Sequence, residues 1–484
     1  MFSKFRKSAA IALTSVIALS AVMSASAAST TKNLSSNFTL VNLANGSNAG
    51  TIQYVLGGEA GGTWRPSENF TLNSLGAQLI RRQYEDASLP AGSGSVVVST
   101  DGPVGAVVQI QAREQTPTSG AYVGVSEGAA QANVPLVSRR GNSASGLTNS
   151  QIIIQNASSI QINVEVQLIN STDGSTTLTK TFNNIAPNAS VEYDLDTEGG
   201  VPEGWFGSAS VRSTTAGGEV AVVSNFFTGP DAMQTFNAFT SVGRQWYAPL
   251  FTSRLANSLS SPISVQNVTA GSIPAGAITL TCTKDPSAPG PATINASNPA
   301  AVGPSASVFF NPVTDTGTFP EGWYGSCVVN TGSYDTAMFV QLRFVNGSRA
   351  GAYEGILGTG ASKQVVIPLY AKRLANSFAS AVTIQNLNAS AAADVTLEYK
   401  AGDGAPANCT ASFDATIPAG SSLIQNHRIA DGPNSVPQLN DGCFGTLTVT
   451  SEDQPIDAFV QLDFLNLGGD AFMAHNAFTV SAAQ

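Results

Sequence analysis

The side chains that most often carry out acid–base or nucleophilic catalysis are scarce in this sequence. Its 484 residues contain two histidines, His427 and His475, which lie near the end of the sequence and belong to no recurring motif. We interpret both as surface or turn residues rather than general bases. No Gly-x-Ser-x-Gly stretch stands between a predicted strand and a predicted helix, where a serine nucleophile would need it. The sequence therefore predicts no catalytic residue, no cofactor and no enzyme.

One acidic stretch has the composition of a calcium site. Asp194, Asp196 and Glu198 alternate ahead of Gly199, and carboxylate oxygens are the ligands that Ca²⁺ prefers. The corresponding segments near Asp315 and Asp431 do not repeat this alternation. We therefore favour a solvated loop over a calcium site and predict no metal.

Four cysteines lie in the second half of the chain, and an even number in an exported protein indicates disulfides. The pairing that keeps each bond local is Cys282 with Cys327 and Cys409 with Cys443. The closed loops span 45 and 34 residues. Each bond is therefore expected to contribute about 4 kcal/mol by restricting the unfolded chain.

An aromatic corner occurs twice, as 202–207 around Trp205 and as 320–325 around Trp323. An exposed tryptophan beside a glutamate could serve as a platform for a sugar ring. A tryptophan just before a strand more often packs over the end of its own sandwich, because burial is the common fate of large aromatic rings. We favour packing and keep glycan contact by Trp205 and Trp323 as the alternative.

The elements that must position these residues follow one pattern, which occurs four times. Each copy begins at a glycine, and a matching valine follows 14 or 15 residues later. In the third copy Val340 and Leu342 alternate with Gln341 and Arg343, which is the period of a half-buried strand. Two such runs joined by a short turn predict an antiparallel hairpin. The four copies begin at Gly94, Gly207, Gly325 and Gly445.

Two shorter features recur with the hairpin. One is a proline followed three residues later by serine or asparagine, which predicts a tight turn between strands. The other is an asparagine that ends an apolar run. The prolines are Pro66, Pro187, Pro304 and Pro418. The asparagines are Asn156, Asn267 and Asn386, with Asn42 as a looser match.

The repeat spacing sets the size of the domains. Copies recur about every 113 to 121 residues, which is the length of one immunoglobulin-sized sandwich. We predict an all-β chain with four tandem β-sandwich modules, at 28–132, 133–243, 244–362 and 363–484. The first module is divergent, since it lacks the Pro-Leu lead-in found at Pro135, Pro249 and Pro368.

The beginning of the sequence has the pattern of a secretory signal peptide. Lys4, Arg6 and Lys7 precede an apolar run, and small residues at 25–27 form a cleavage site. We therefore predict that 1–27 is removed and that the protein is extracellular or held at the cell surface. The apolar run is short for a membrane span, and no later stretch is long enough for one.

Composition agrees with an exported β protein. Only 11% of residues are charged, and the formal net charge is −10. A chain with this acidic balance is not expected to bind nucleic acid.

The last module carries a resemblance to a known class of domain. It contains 382–386, 393–399 and a 417–422 turn, followed by the hairpin that ends at Phe464. This order resembles the secreted immunoglobulin-like modules of bacterial cell-surface proteins, including the cell-adhesion-related domain. The resemblance implies tandem immunoglobulin-like sandwiches with a spacer, adhesive or lattice-forming role, and it implies no catalytic residue.

Two functions remain open. The preferred one is a secreted, non-enzymatic structural protein of a surface layer, sheath or filament, with modules in tandem forming a rod or a tile. Its partners would be further copies of the chain or other cell-surface proteins. The alternative is an adhesin or carbohydrate-binding protein that presents Trp205 or Trp323 to a polysaccharide.

Overall fold

The structure is a computed structural model that describes residues 15–21, 34–112, 117–143, 146–171, 173–229, 231–345, 349–360, 362–406 and 408–480. These residues are nearly all β, which confirms the predicted fold class. The helical residues among them form three short 3-10 turns, at Gln83–Glu85, Leu195–Thr197 and Gly358–Gly360.

The first sandwich contains two four-stranded antiparallel sheets. Its strands are β1 (Ser15–Ala21), β2 (Leu34–Asn42), β3 (Asn48–Leu56), β4 (Thr63–Leu72), β5 (Gln78–Arg82), β6 (Gly94–Thr100), β7 (Val104–Ala112) and β8 (Thr118–Val123). The sheet orders are β1-β6-β3-β4 and β5-β2-β7-β8. Apolar residues of both sheets, such as Ile52 and Phe38, meet in one core between them.

The second sandwich follows the same plan. Its strands are β9 (Gln131–Arg139), β10 (Gly141–Ser143), β11 (Gly146–Asn156), β12 (Ile162–Asn170), β13 (Thr176–Ile185), β14 (Ser190–Asp194), β15 (Trp205–Ser213), β16 (Val220–Thr228) and β17 (Ala232–Asn237). One sheet has the order β13-β12-β15-β9. The other has the order β10-β11-β16-β17, with β14 also paired to β11.

The third sandwich has two five-stranded sheets. Its strands are β18 (Gln245–Ser253), β19 (Leu259–Ser260), β20 (Ile263–Asn267), β21 (Thr279–Lys284), β22 (Thr293–Ser297), β23 (Ser307–Phe310), β24 (Trp323–Asn330), β25 (Thr336–Phe344), β26 (Ala350–Glu354) and β27 (Ile356–Leu357). The orders are β22-β21-β24-β18-β27 and β19-β25-β20-β23, with β26 also paired to β25.

The fourth sandwich closes the described chain. Its strands are β28 (Gln364–Lys372), β29 (Phe378–Asn386), β30 (Ala393–Ala401), β31 (Ala411–Ile417), β32 (Ser422–Asn426), β33 (Cys443–Ser451), β34 (Ile456–Phe464), β35 (Phe472–Asn476) and β36 (Phe478–Thr479). The orders are β31-β30-β33-β28-β36 and β32-β29-β34-β35. The residue limits of the modules given above stay a prediction.

The four sandwiches close into a ring. In each sandwich the last long strand, which is β8, β17, β26 or β35, faces the centre. Strand β8 contacts β17 and β35, and β26 contacts the same two strands. The arrangement is therefore a closed cycle rather than the extended rod that tandem repeats can form.

Ring closure buries a strand face that the half-buried pattern predicts to be in solvent. Gln341 lies on the face that the alternation predicts to be in solvent, yet it is only 4% exposed, and Gln461, at the matching position of the fourth sandwich, is 1% exposed. Asp463 on the same strand as Gln461 is also buried. A neighbouring sandwich covers this face, so these strands are buried on both sides.

The recurring asparagine is a structural element of every sandwich. Asn386 is buried, its Oδ1 accepts the N–H of Asn388 at 2.9 Å, and its Nδ2 donates to Ile417 O at 3.1 Å. This one amide therefore fixes a turn and ties it to a neighbouring strand end. The same pair of interactions is made by Asn42, Asn156 and Asn267.

The recurring proline has two different positions. Pro187, Pro304 and Pro418 lie between strands, as predicted, whereas Pro66 lies inside β4. The matching turn of the first sandwich is at 74–77, where Ala77 N donates to Ser74 O at 2.9 Å. The prediction for Pro66 was wrong because the turn is made there without a proline.

Candidate assembly interfaces

Both histidines are buried. His427 lies in the turn after β32, as predicted, whereas His475 lies inside β35, so the prediction of a surface or turn position was wrong for His475. His427 Nδ1 lies 3.0 Å from Ser380 Oγ, and its Nε2 lies 3.1 Å from the Tyr399 hydroxyl. Burial lowers the pKa of His427 to about 3 and that of His475 to about 4. Both rings are therefore neutral at neutral pH and pack inside the protein.

The acidic stretch at 194–198 forms ion pairs with basic side chains of the same chain. Arg140 Nε lies 2.7 Å from Asp196, and Lys180 Nζ lies 3.2 Å from Glu198. Asp194 accepts the backbone N–H of Asp196 at 2.9 Å, which caps the short 3-10 turn. Asp196 is 4% exposed, so the segment is more buried than a solvated loop. Within the described ranges, no group of three or more His, Cys, Asp or Glu could hold a metal ion.

The two corner tryptophans are packing residues. Trp205 is 7% exposed and Trp323 is fully buried. Their indole N–H groups donate to Thr177 Oγ1 at 3.1 Å and to Pro291 O at 3.0 Å. Neither ring presents a face on which a sugar could stack, so the packing interpretation accounts for both residues.

Two disulfides join Cys282 to Cys327 and Cys409 to Cys443. The first links directly paired residues of β21 and β24. The second ties the segment before β31 to the first residue of β33. Two such bonds are consistent with an oxidising compartment. In the described part of the chain, no helix is both long and apolar enough to span a membrane.

A cleft of about 430 Å³ lies on the first sandwich. Its charges are already paired, since Glu68 lies 3.0 Å from Arg65 and 2.8 Å from Arg81. With as many acidic as basic side chains, the cleft has no net charge to attract an ion. Its lining is Arg65, Glu68, Ile80, Arg81, Arg82, Glu85 and Asp86.

Each contact surface between two neighbouring sandwiches, called a seam here, is formed in part by the recurring residues. In three copies the residue after the repeated glycine is a serine whose hydroxyl donates to the turn of the next sandwich. The accepting residue has a left-handed backbone, with φ between 59° and 66°. The pairs are Ser95 with Asn188, Ser208 with Ser305, and Ser326 with Gly420.

The fourth seam places the matching residues together and closes the ring. Thr446 follows the repeated Gly445, and Gly76 has a φ of 79°. A Cβ on Gly76 would lie 3.2 Å from Thr446 Oγ1, so the two residues are in contact. Sequence reasoning missed these contacts, although a serine or threonine after every repeated glycine was a visible signal.

Asp470 touches all four sandwiches at the centre of the ring. Its carboxylate accepts the N–H of Met233 at 2.7 Å and of Ala350 at 3.1 Å. Its own N–H donates to Pro117 O at 2.7 Å, and its carbonyl accepts from Ser119 Oγ at 2.8 Å. Burial raises the pKa of Asp470 well above its usual value, while the N–H donors oppose that shift.

A second polar contact joins the same four strands. The Glu354 carboxylate accepts the N–H of Asn237 at 2.7 Å, and Asn237 Nδ2 donates to Val123 O at 2.8 Å. Asn476 exchanges two hydrogen bonds with the Glu354 backbone, at 2.9 and 2.8 Å. Burial raises the pKa of Glu354 to about 6.

Aromatic rings seal two of the seams. Phe236 stacks on Phe339 and Tyr353 stacks on Phe459, each with ring centroids 4.2 Å apart. The ring interior is therefore made of specific polar and stacked contacts rather than loosely touching surfaces.

Comparisons with known proteins give no family. No protein-family model and no curated protein matches the chain. A Thermotoga maritima protein designated 1070, known from its crystal structure, is 16% identical, covering 24% of this chain and 97% of its own, with a TM-score of 0.20. The BSP domain of a biofilm-associated protein is 8% identical, covering 100% and 99% of the two chains, with a TM-score of 0.14. At these TM-scores neither likeness carries an argument about function.

Proposed function

We propose that this chain is an exported, non-enzymatic structural protein of the cell surface, which acts as a subunit of a surface layer, sheath or filament. The four sandwiches are of the immunoglobulin-like type in this proposal. The rigid ring is the unit that assembles, and the partners are further copies or other surface proteins.

The observation that carries the proposal is the use of the recurring residues. The serines after the repeated glycines and the left-handed turn residues make contacts between sandwiches. The recurring residues therefore hold neighbouring sandwiches in one fixed arrangement. An enzyme or a receptor built from repeats would be expected to reserve some recurring residues for a ligand.

Further observations agree with this proposal. Two disulfides stabilise the third and fourth sandwiches, which suits a protein outside the cell. The adhesin alternative depended on exposed Trp205 and Trp323. Because both rings are buried, no specific observation favours that alternative.

The experiment combines location with assembly state. Gold-labelled antibody on intact cells is expected to mark the cell surface, and electron microscopy of the purified chain is expected to show ordered assemblies. A protein that remains inside the cell, or a monomer that is retained on a polysaccharide column, would contradict the proposal.

A further inference from the structure

The four inner strands of the ring end at equivalent residues. Strands β8, β17, β26 and β35 end at Val123, Asn237, Glu354 and Asn476. Each of these residues lies opposite the same position of the long strand that precedes it in the chain. Glu354 is the one member of this set that can carry a charge. The opposite residues are Val107, Val223, Phe339 and Phe459.

Hydrogen bonds join these four strand ends into one group, called the axial cluster here. The Asn237 N–H donates to the Glu354 carboxylate at 2.7 Å, and Asn237 Nδ2 donates to Val123 O at 2.8 Å. Asn476 accepts the Glu354 N–H at 2.9 Å and donates to the Glu354 carbonyl at 2.8 Å. Each sandwich therefore contributes one residue to the axial cluster.

One acceptor of the axial cluster has no donor. Asn237 Oδ1 is buried and has no hydrogen-bond partner among the described residues. An ionised carboxylate cannot supply the donor, because it only accepts hydrogen bonds. A protonated carboxyl has one O–H donor. Protonation of Glu354 would therefore provide the missing donor to a residue that Glu354 already contacts.

The other inner strands bring no cation to the axial cluster. Strands β8 and β17 contain no charged residue. The titratable group of β35 is His475, and burial lowers its pKa to about 4, so it is neutral at neutral pH. An ionised Glu354 would face uncharged side chains on all three strands.

The remaining strands packed on β26 also leave this carboxylate without a cation. Arg343 lies opposite Ala350 at the other end of β26, where Asp470 accepts the Ala350 N–H at 3.1 Å. The charged residues of β34, which stacks on β26, are Asp457 and Asp463, and both are acidic. Strand β18, which is hydrogen-bonded to β26, contains no charged residue. Within the described ranges, these neighbours therefore favour the neutral carboxyl over the ionised one.

We propose that the axial cluster is a proton-dependent latch, in which Glu354 takes a proton from solvent and donates it in a hydrogen bond to Asn237 Oδ1 when the ring is closed. In the ionised form Asn237 Oδ1 stays without a donor, and a negative charge is held away from water. The centre of the ring therefore closes most tightly in mildly acidic surroundings and loosens as they become neutral. The latch is a property of the ring itself and goes beyond the proposed function.

The direction of this effect follows from the proton affinity of the two states. Burial raises the pKa of Glu354 to about 6 in the closed ring, while the N–H of Asn237 opposes that shift, and the ordinary value is 4.5. Below pH 4.5 both states hold the proton, so closure is strongest there. Between pH 4.5 and 6 only the closed ring holds it, so closure weakens about tenfold per pH unit, or about 30-fold in all.

Hydrogen exchange of the full chain, corrected for the intrinsic rate at each pH, tests the latch. Peptides that cover Asn237 and Glu354 are followed at pH 4 and pH 7. The loss of protection between these pH values is expected to be about 30-fold smaller in Glu354→Gln than in the unchanged protein, because the amide can donate to Asn237 Oδ1 at both. The matched control is Glu452→Gln, at an exposed position, which is expected to behave like the unchanged protein.

A second variant removes the acceptor instead of the donor. Asn237→Ala keeps the backbone N–H and loses Oδ1 together with the Nδ2 bond to Val123. The Nδ2 bond is lost equally at both pH values, whereas the bond to Oδ1 exists only when Glu354 is protonated. Asn237→Ala is therefore expected to lower protection more at pH 4 than at pH 7.

Two results would overturn the latch. One is an equal loss of protection between pH 4 and pH 7 in Glu354→Gln and Glu452→Gln. The other is an Asn237→Ala chain whose protection falls by the same factor at both pH values, since Oδ1 would then bind no proton donor. Neither result depends on where the protein lies on the cell, so the proposed function is tested separately.

Discussion

Replacing Asp470 with alanine is expected to open the centre of the ring. The side chain is fully buried and accepts backbone N–H groups of Met233, Ala350 and Phe472 at 2.7, 3.1 and 3.3 Å. A buried donor left without a partner costs about 1–3 kcal/mol. Three such donors, with some relaxation, give an expected loss of about 3–6 kcal/mol in the free energy of opening.

Hydrogen exchange read by mass spectrometry measures this loss strand by strand. Because Asp470 links all four sandwiches, peptides that cover β8, β17, β26 and β35 are expected to exchange faster together in Asp470→Ala. The matched control is Asp403→Ala, at an exposed loop position, which is expected to change the exchange free energy by less than about 0.5 kcal/mol.

The result that would refute this reasoning is a local one. If only the fourth sandwich exchanged faster and β8, β17 and β26 kept their protection, Asp470 would stabilise its own loop rather than the ring. The same conclusion would follow if Asp470→Ala and Asp403→Ala gave equal exchange.

Three further predictions concern single sandwiches and one seam. Gly351→Val is expected to cost about 1–3 kcal/mol, because a Cβ there would lie 2.7 Å from the ring of Phe472, whereas Gly468→Ala meets nothing within 4 Å and should be neutral in thermal unfolding. Asn386→Ala is expected to reduce the free energy of unfolding of the fourth sandwich by about 2–4 kcal/mol and so to lower its melting temperature, because the backbone groups that bind the buried amide would lose their partner. An unchanged calorimetric transition would contradict this. The pKa of His427 is about 3 in the folded state and near 6.5 when unfolded, so the unfolded chain takes up the proton first and stability should fall as pH falls from 6.5 towards 3. Denaturant unfolding at several pH values measures this dependence. The free energy of unfolding is expected to change less steeply with pH in His427→Gln than in the unchanged protein. An identical dependence on pH would exclude the histidine as the cause.

The local features of the fold could be predicted because they depend on near neighbours in sequence. Alternation along 340–344 reports a strand, and a short turn between two such runs reports a hairpin. Asn386 ends an apolar run because its amide fixes the turn that follows. Such signals repeat in each copy, so the all-β class was accessible from one sequence.

The ring could not be predicted because its contacts join residues far apart in the chain. Ser326 and Gly420 are 94 positions apart, and Ser119 and Asp470 are 351 apart. No periodic pattern reports such pairs. Gln341 was expected in solvent because alternation identifies two faces of a strand without saying what covers each face.

The residues of the candidate interfaces could not be predicted from their side-chain chemistry. Residues that could have reacted, such as His427, proved to be buried packing groups. The residues that matter for the proposed function, such as Ser95 and Ser208, are of an ordinary type. Their role follows from position at a seam, which side-chain chemistry alone does not reveal.

The place of Asp470 near the far end of the described chain has a consequence for biogenesis. The first three sandwiches can fold as they emerge, but their inner strands stay uncovered until Asp470 and β35 arrive. A polypeptide interrupted before this point would expose apolar and unpaired backbone surface and would be an easy target for proteases. Completion of the ring therefore requires synthesis of the chain through Asp470 and β35.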